Sequence, residues 1–234
     1  ANYFGKTSKL QQDLKLLPEA FWLKAGEERA LNLFHQMSER VPAYKDFLKK
    51  HNFDPKKIKT IDDFKKIPTI DKQNYLKQYP IEQLCWDGDF NSKQWIFAVT
   101  SGSTGVPFYF PREAEQDQQY ALLAELYLLE NFQIDQKSTL YIDAFAMGAW
   151  IGGLFTYSAI RSIAESGKYP LSIITPGVNK AEVLKSVQRL GDKFDQIIIG
   201  GYPPMVKDLI DEGIVEGTEW QKYTIGFVFS AEGF

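Results

Sequence analysis

Cysteine and histidine are nearly missing from this sequence, and there is no excess of either charge. The single cysteine, Cys85, cannot close an internal disulfide, and no Asn-x-Ser/Thr acceptor occurs in the 234 residues. Both absences point to a reducing, cytoplasmic setting. The two histidines, His35 and His51, fall on helix-like segments without a second metal ligand at coordination spacing. No histidine lies in the second half, which argues against a Ser-His-Asp triad built on Ser101 or Ser103. With 27 basic and 30 acidic residues the net charge is −3, and the pI of about 5.6 argues against a broad nucleic-acid footprint. The lysine pairs at 56–57 and 65–66 are interleaved with acids and read as a solvated face. No apolar core of signal-peptide type opens the chain. The uncharged run 144–160 contains Gly148, Gly152 and Gly153 and is clamped by Asp143 and Arg161, so it reads as a buried helix and no membrane span is expected.

What is present divides into two patterns. Residues 1–90 read as a helical N-terminal region. Apolar residues recur at helical spacing from Gln11 to Arg40, with Pro18 and Gly26 expected to break the run. Pro42 opens a second helix ending in Lys49, Lys50 and His51. Thr60 or Asp62 is expected to cap a short helix before Pro68, and Asp71 another reaching Tyr79. Residues 91–234 alternate strands and helices: QWIFAV, PFYFP, the helix Glu113–Asn131, TLYIDA, the glycine-rich run, LSIIT, KAEVLKSVQRL, QIIIG, MVKDLIDE after Pro203 and Pro204, and YTIGFVFS. Strands separated by helices predict an α/β fold, with a mainly parallel sheet flanked by helices. Cys85 and the aromatic residue after it read as packing groups. The sequence stops directly after an apolar strand, where an open α/β sheet places its ligand site, which suggests a fragment of a longer protein.

The most informative stretch is Thr100-Ser101-Gly102-Ser103-Thr104-Gly105-Val106-Pro107, directly after the apolar run Ile96–Val99. Two glycines let the backbone approach an anion, four hydroxyls supply donors, and successive N–H groups can form a nest. No lysine follows Gly105, so this is not the nucleoside-triphosphate P-loop. By composition alone such a Ser/Gly segment between two strands is more often a plain loop.

TSGSTGVP resembles the phosphate-binding signature of the adenylate-forming enzymes: acyl-CoA synthetases, luciferase and peptide synthetase adenylation domains. The nearest likeness is to the branch of phenylacetate-CoA ligase and its coenzyme F390 synthetase-like and capsule-biosynthesis-like relatives. Residues 41–76, VPAYKDFLKKHNFDPKKIKTIDDFKKIPTIDKQNYL, resemble that branch's amino-terminal signature, and Ser230-Ala231-Glu232-Gly233-Phe234 is similar to its Gly-Ala-Glu-Pro-Trp motif. The three occur in family order across nearly the whole chain.

The resemblance implies the large N-terminal domain of such an enzyme, truncated, acting with ATP, Mg²⁺ and coenzyme A on a small-molecule carboxylic acid. Thr100, Ser101, Gly102, Ser103, Thr104 and Gly105 would wrap the β- and γ-phosphates, with Thr104 and Glu232 as catalytic groups. Glu232 would help hold Mg²⁺, and Ala231 and Gly233 would border the adenine. Gly200-Gly201-Tyr202-Pro203 would line the nucleotide and acyl pocket, and Tyr141, Phe145 and Trp150 would wall it for an aryl or medium-length acyl group. The expected reaction is acid-thiol ligation through an acyl-adenylate. The alternatives are a non-CoA acceptor (carrier protein, amine or hydroxyl) or a non-catalytic nucleotide- or acyl-binding relative. A homodimer is a family-level expectation. Val106 and Phe108 stand where family members carry lysines, and Gly233-Phe234 replaces Pro-Trp. Arg112 is the nearest cation in sequence to substitute, its plain reading being a solvated arginine at a helix start.

Overall fold

The structure, a computed structural model, describes residues 3, 5–100 and 107–230. Two compact units emerge, one of residues 12–96 and the other of residues 1–11 with 97–234. Each is set out by itself.

The helical unit contains most of the N-terminal pattern. Helix α1 (Thr7–Leu16) stops before Pro18, which then starts α2 (Glu19–Arg40). The break expected at Gly26 does not occur, because a glycine costs a helix only about 1 kcal/mol against alanine while proline removes a donor and clashes with the preceding turn. Helix α3 (Pro42–Lys50) takes Pro42 in its first turn and buries Ala43, Tyr44, Phe47 and Leu48. Helix α4 (Ile61–Phe64) is closed by a reciprocal cap in which Asp63 N donates to Thr60 Oγ1 and Thr60 N donates to Asp63 Oδ2. Asp71 caps the next turn as expected, but that turn ends at Leu76 and not at Tyr79. Gln78 Nε2 donates to Gln73 O, and Pro80 disfavours helical geometry at the residue before it. The core is largely aromatic: Phe34 meets Tyr44 edge-on at 6.1 Å, and Phe47 meets Tyr75 at 5.5 Å.

In the α/β unit, strands β1 (Ile96–Val99) and β2 (Tyr109–Arg112) pair with each other, and helix α5 (Ala114–Phe132) follows. The remaining elements are β3 (Thr139–Asp143), α6 (Ile151–Glu165), β4 (Leu171–Ile174), α7 (Lys180–Leu190), β5 (Gln196–Gly201), α8 (Pro203–Val215) and β6 (Ile225–Phe229). The four strands from β3 onward form one parallel sheet in the order β4-β3-β5-β6, with Tyr141 opposite Ile198 and Asp143 opposite Gly200. Alternation along the strands separates two cores. Leu140, Ile142, Ile197 and Ile199 pack with α7 and α8, whereas Tyr141 and Ile198 pack with α5 and α6. An α/β fold with a parallel sheet covered on both faces follows directly. The first residues join this unit: Thr7 Oγ1 donates to Glu125 Oε2 on α5 at 2.5 Å, and Gln11 Nε2 to Glu130 Oε1 at 2.6 Å.

The uncharged run 144–160 is not one helix. β3 ends at Asp143, Gly148 takes φ 87°, and α6 begins only at Ile151. Among the described residues no helix is long and apolar enough to cross a membrane.

Candidate functional site

The strand order contains a reversal. From β3 the chain runs through α6 to β4 on one side, then returns through α7 to β5 on the other side of β3. Loops leaving β3 and β5 therefore part in opposite directions, and in open parallel sheets the crevice at that point, beyond the carboxyl ends, is where ligands bind. In this sheet that position falls between the segment 143–150 after β3 and the segment 200–203 at the end of β5.

Several sequence-predicted residues meet there. Ala144 N donates to Gly200 O at 2.8 Å, joining the two strand ends. The β1–β2 pair is attached to the same loop: Val99 N donates to Ala149 O at 2.9 Å, and Val99 bridges Trp150 in parallel. Thr100 follows at once. Its N–H donates to Phe108 O at 3.1 Å and its hydroxyl oxygen accepts from Phe108 N at 3.2 Å, so the base of the glycine-rich segment is clamped. Phe108 thus contributes backbone to the clamp, and its ring lies 4.9 Å from that of Phe110. Ser101, Gly102, Ser103, Thr104, Gly105 and Val106 lie outside the described residues, as do Ala231, Glu232, Gly233 and Phe234.

The predicted acyl contacts have different settings. Trp150 is 39% exposed at the start of α6, whereas Phe145 is only 8% exposed and packs beside Gly152. Gly200 and Gly201 do not leave open cradles. A Cβ on Gly200 would run into the Tyr141 hydroxyl, and one on Gly201 would come within 2.8 Å of Val206. These glycines let Tyr141 and helix α8 pack tightly at the strand end. Burial pushes the Tyr141 hydroxyl far above its ordinary pKa, so the phenol is neutral. Tyr202 occupies the N-cap position of α8, and Pro203 and Pro204 fill its first turn, so the helix begins beside the carboxyl end of β5 with two residues that carry no N–H.

Asp143 is the residue that motif reading missed. Its side chain is fully buried, its Oδ1 accepts from Phe145 N at 3.2 Å, and its Oδ2 has no hydrogen-bond partner. Desolvation raises its pKa to about 7, against the smaller opposing pull of the Phe145 N–H. The sequence signal was a lone carboxylate in the otherwise apolar stretch TLYIDAFA.

Arg112 is not a solvated arginine at a helix start. It lies on β2 and is 7% exposed, with its guanidinium 4.3 Å from the Phe155 ring centre and Nη1 3.3 Å from Asp117 Oδ1. Phe155 in turn stacks on Tyr120 at 4.2 Å. The β2 strand and the N-terminal turn of α5 commit this cation to a fixed place.

No group of three or more His, Cys, Asp or Glu side chains converges among the described residues, so these alone do not furnish a metal cage. Nδ1 of His51 lies 2.9 Å from Phe47 O at the end of α3, and His35 packs edge-on against Phe34 at 5.2 Å. Cys85 is buried and its thiol donates to Ile81 O at 3.3 Å, which is a packing role. No protein-family model matches the chain, and no curated protein matches it.

Proposed function

We propose that the protein activates a carboxylic acid with ATP and passes the acyl group to the thiol of coenzyme A. A carboxylate oxygen attacks the α-phosphorus, the bond to the bridging oxygen breaks, and pyrophosphate leaves an acyl-adenylate. The thiol, losing its proton, then attacks the acyl carbon, and AMP departs with its electron pair. The observation supporting this reading is the attachment of the Val99–Thr100 stem to the loop leaving β3, at the reversal in strand order. A hydroxyl- and glycine-rich segment thereby starts from the crevice where a parallel sheet receives nucleotides. The chain's own contribution is positional. The Thr100–Phe108 clamp holds the stem, and Trp150 offers an exposed aromatic face to an apolar acid. Mg²⁺ would neutralise phosphate charge. Its expected ligand is Glu232, the described residues alone do not suffice for it, and the roles given to this chain do not depend on it.

A second reading, a nucleotide- or acyl-binding relative without turnover, is favoured by one observation. The expected lysine positions hold Val106 and Phe108, and the nearest cation, Arg112, is already engaged by Asp117 and Phe155. Carboxylate-dependent ATP–pyrophosphate exchange on the full-length protein, with a pool of aryl and fatty acids, separates the two. Ligation predicts exchange stimulated by one class of acid and abolished by Glu232→Gln. Folded protein that binds ATP, gives no exchange with any acid and keeps its affinity in Glu232→Gln would replace the ligase with the passive binder. Exchange without CoA-dependent AMP release would keep the first step and assign a different acceptor.

A further inference from the structure

The helical unit contains a cleft of 660 Å³, within the range of roughly 300–1,000 Å³ typical of small-molecule sites. Its floor is apolar, with Leu48 fully buried and Phe53 partly so. The last turns of α2 form one wall and α3 the other, with Lys45 and Lys49 one turn apart on the same face. The chain returning from α3 closes the third side. That return is well specified: Asn52 takes φ 60°, Phe53 N donates to Leu48 O at 2.9 Å, and Lys56 N donates to the Asp54 carboxylate at 3.0 Å.

The charges around this cleft are poorly matched. Lys45, Lys49 and Lys56 line it without an ion pair among the described residues, whereas neighbouring Lys50 is held by Asp46 at 2.7 Å. Of the two lining acids, Asp54 is occupied by the backbone of its own turn, leaving Glu39 against three ammonium groups in a chain whose net charge is −3. No arginine lines the cleft, so the flat, forked contact suited to a carboxylate is not offered. Compact ammonium groups, two from α3 and one from the returning chain, suit a tetrahedral anion with several charged oxygens.

We propose that this cleft binds a phosphomonoester carried on an apolar body, with Lys45, Lys49 and Lys56 around the phosphate and Leu48 and Phe53 beneath the body. The site is independent of the function proposed for the α/β unit. The test is a titration of the isotope-labelled full-length protein with phenyl phosphate, inorganic phosphate and benzoate, following backbone amides of residues 35–56. Phenyl phosphate is expected to saturate and to bind about tenfold more tightly than inorganic phosphate, because the ring buries apolar surface. The double variant Lys45→Glu/Lys49→Glu is expected to weaken it by about tenfold or more through charge reversal. Lys59→Glu/Lys77→Glu, exposed lysines outside the cleft, should leave it unchanged. A parallel arm with phosphatidylcholine vesicles containing phosphatidic acid identifies the source. Sedimentation lost in Lys45→Glu/Lys49→Glu assigns a lipid headgroup, and binding of phenyl phosphate alone assigns a soluble ester. Equal affinity for inorganic and phenyl phosphate, benzoate matching phenyl phosphate, equal loss in the control variant, or no saturation of either phosphomonoester would each overturn the site.

Discussion

In the helical unit the charged pairs lie at the surface: Lys50 with Asp46, Arg40 with Asp87, Lys66 with Asp63. Its interior is a cluster of edge-on and stacked rings, and the buried Tyr75 hydroxyl, which lacks a hydrogen-bond partner, is neutral. The α/β unit buries charge-bearing groups instead. Arg112 and Asp117 are enclosed against Phe155, and Asp143 is fully buried at the end of β3 with one oxygen unpaired. Leaving a neutral hydroxyl unpaired costs about 1–3 kcal/mol and leaving a charged group unpaired costs more. The unit that accepts the larger penalty does so beside the crevice, which is where local stability is expected to give way to function.

The largest effect expected concerns the tight packing at that strand end. Gly200→Ala places a methyl group against the Tyr141 hydroxyl and ring, both on rigid central strands, and should cost about 3 kcal/mol or more. Tyr141→Phe removes the closest atom, so Gly200→Ala in that background should cost measurably less. Urea unfolding of the four proteins of this double-mutant cycle provides the measurement. Additive losses would mean that Gly200 is not held against the phenol, and the view of the crevice as tightly packed would fail with it.

Asp143 gives the next largest effect. Its pKa is raised to about 7 in the folded chain, against about 4 when unfolded. The folded state therefore holds the proton more tightly. The stability contributed by the neutral acid is complete below pH 4 and is lost as pH rises through 7. Asp143→Asn stays neutral throughout. Between pH 4 and 8 the wild type should lose about 3–4 kcal/mol relative to the variant, close to three pH units at ~1.4 kcal/mol each, read as diverging urea midpoints. Parallel midpoints would show that the carboxylate finds a partner and that the buried-charge contrast between the units is wrong at this residue.

The order of elements was legible in the sequence because periodicity is a local property. The short apolar runs in TLYID and QIIIG, the break at Pro18, and the prolines at the start of α3 and α8 needed no tertiary information. Two of the three misread boundaries involve glycine. Gly26 weakens α2 without breaking it, and Gly148 at φ 87° separates the turn after β3 from α6 where composition suggested one helix. Strand order lies in long-range pairing, so the reversal at β3 could be seen only in the fold. The same holds for Arg112: its charge suggested solvent, and its burial follows from Phe155 and Asp117, which periodicity does not bring to it. Asp143 was visible as an acid in an apolar strand, yet its unpaired oxygen was not.

The smallest effect tests the opposite sign in the helical unit. Asp63 is partly exposed, and its pKa is held at about 2, first by the Thr60 hydroxyl, then by Lys66 and the backbone N–H groups of Lys59 and Thr60. A lowered carboxylate stabilises above the unfolded value near 4 and loses that contribution as pH falls toward 2, the reverse of Asp143. Thr60→Ala deletes the largest of these causes and half of the reciprocal cap on α4. A carboxyl-carbon NMR titration should then show the Asp63 midpoint moving up toward the ordinary range, with amide protection lost first over residues 60–65. The Asp143 midpoint should not move, since its shift comes from desolvation and not from a donor network. If Asp63 keeps its midpoint in Thr60→Ala, the cap is not what holds it. The contrast between a surface held by donors and an interior held by exclusion of water would then rest on Asp143 alone.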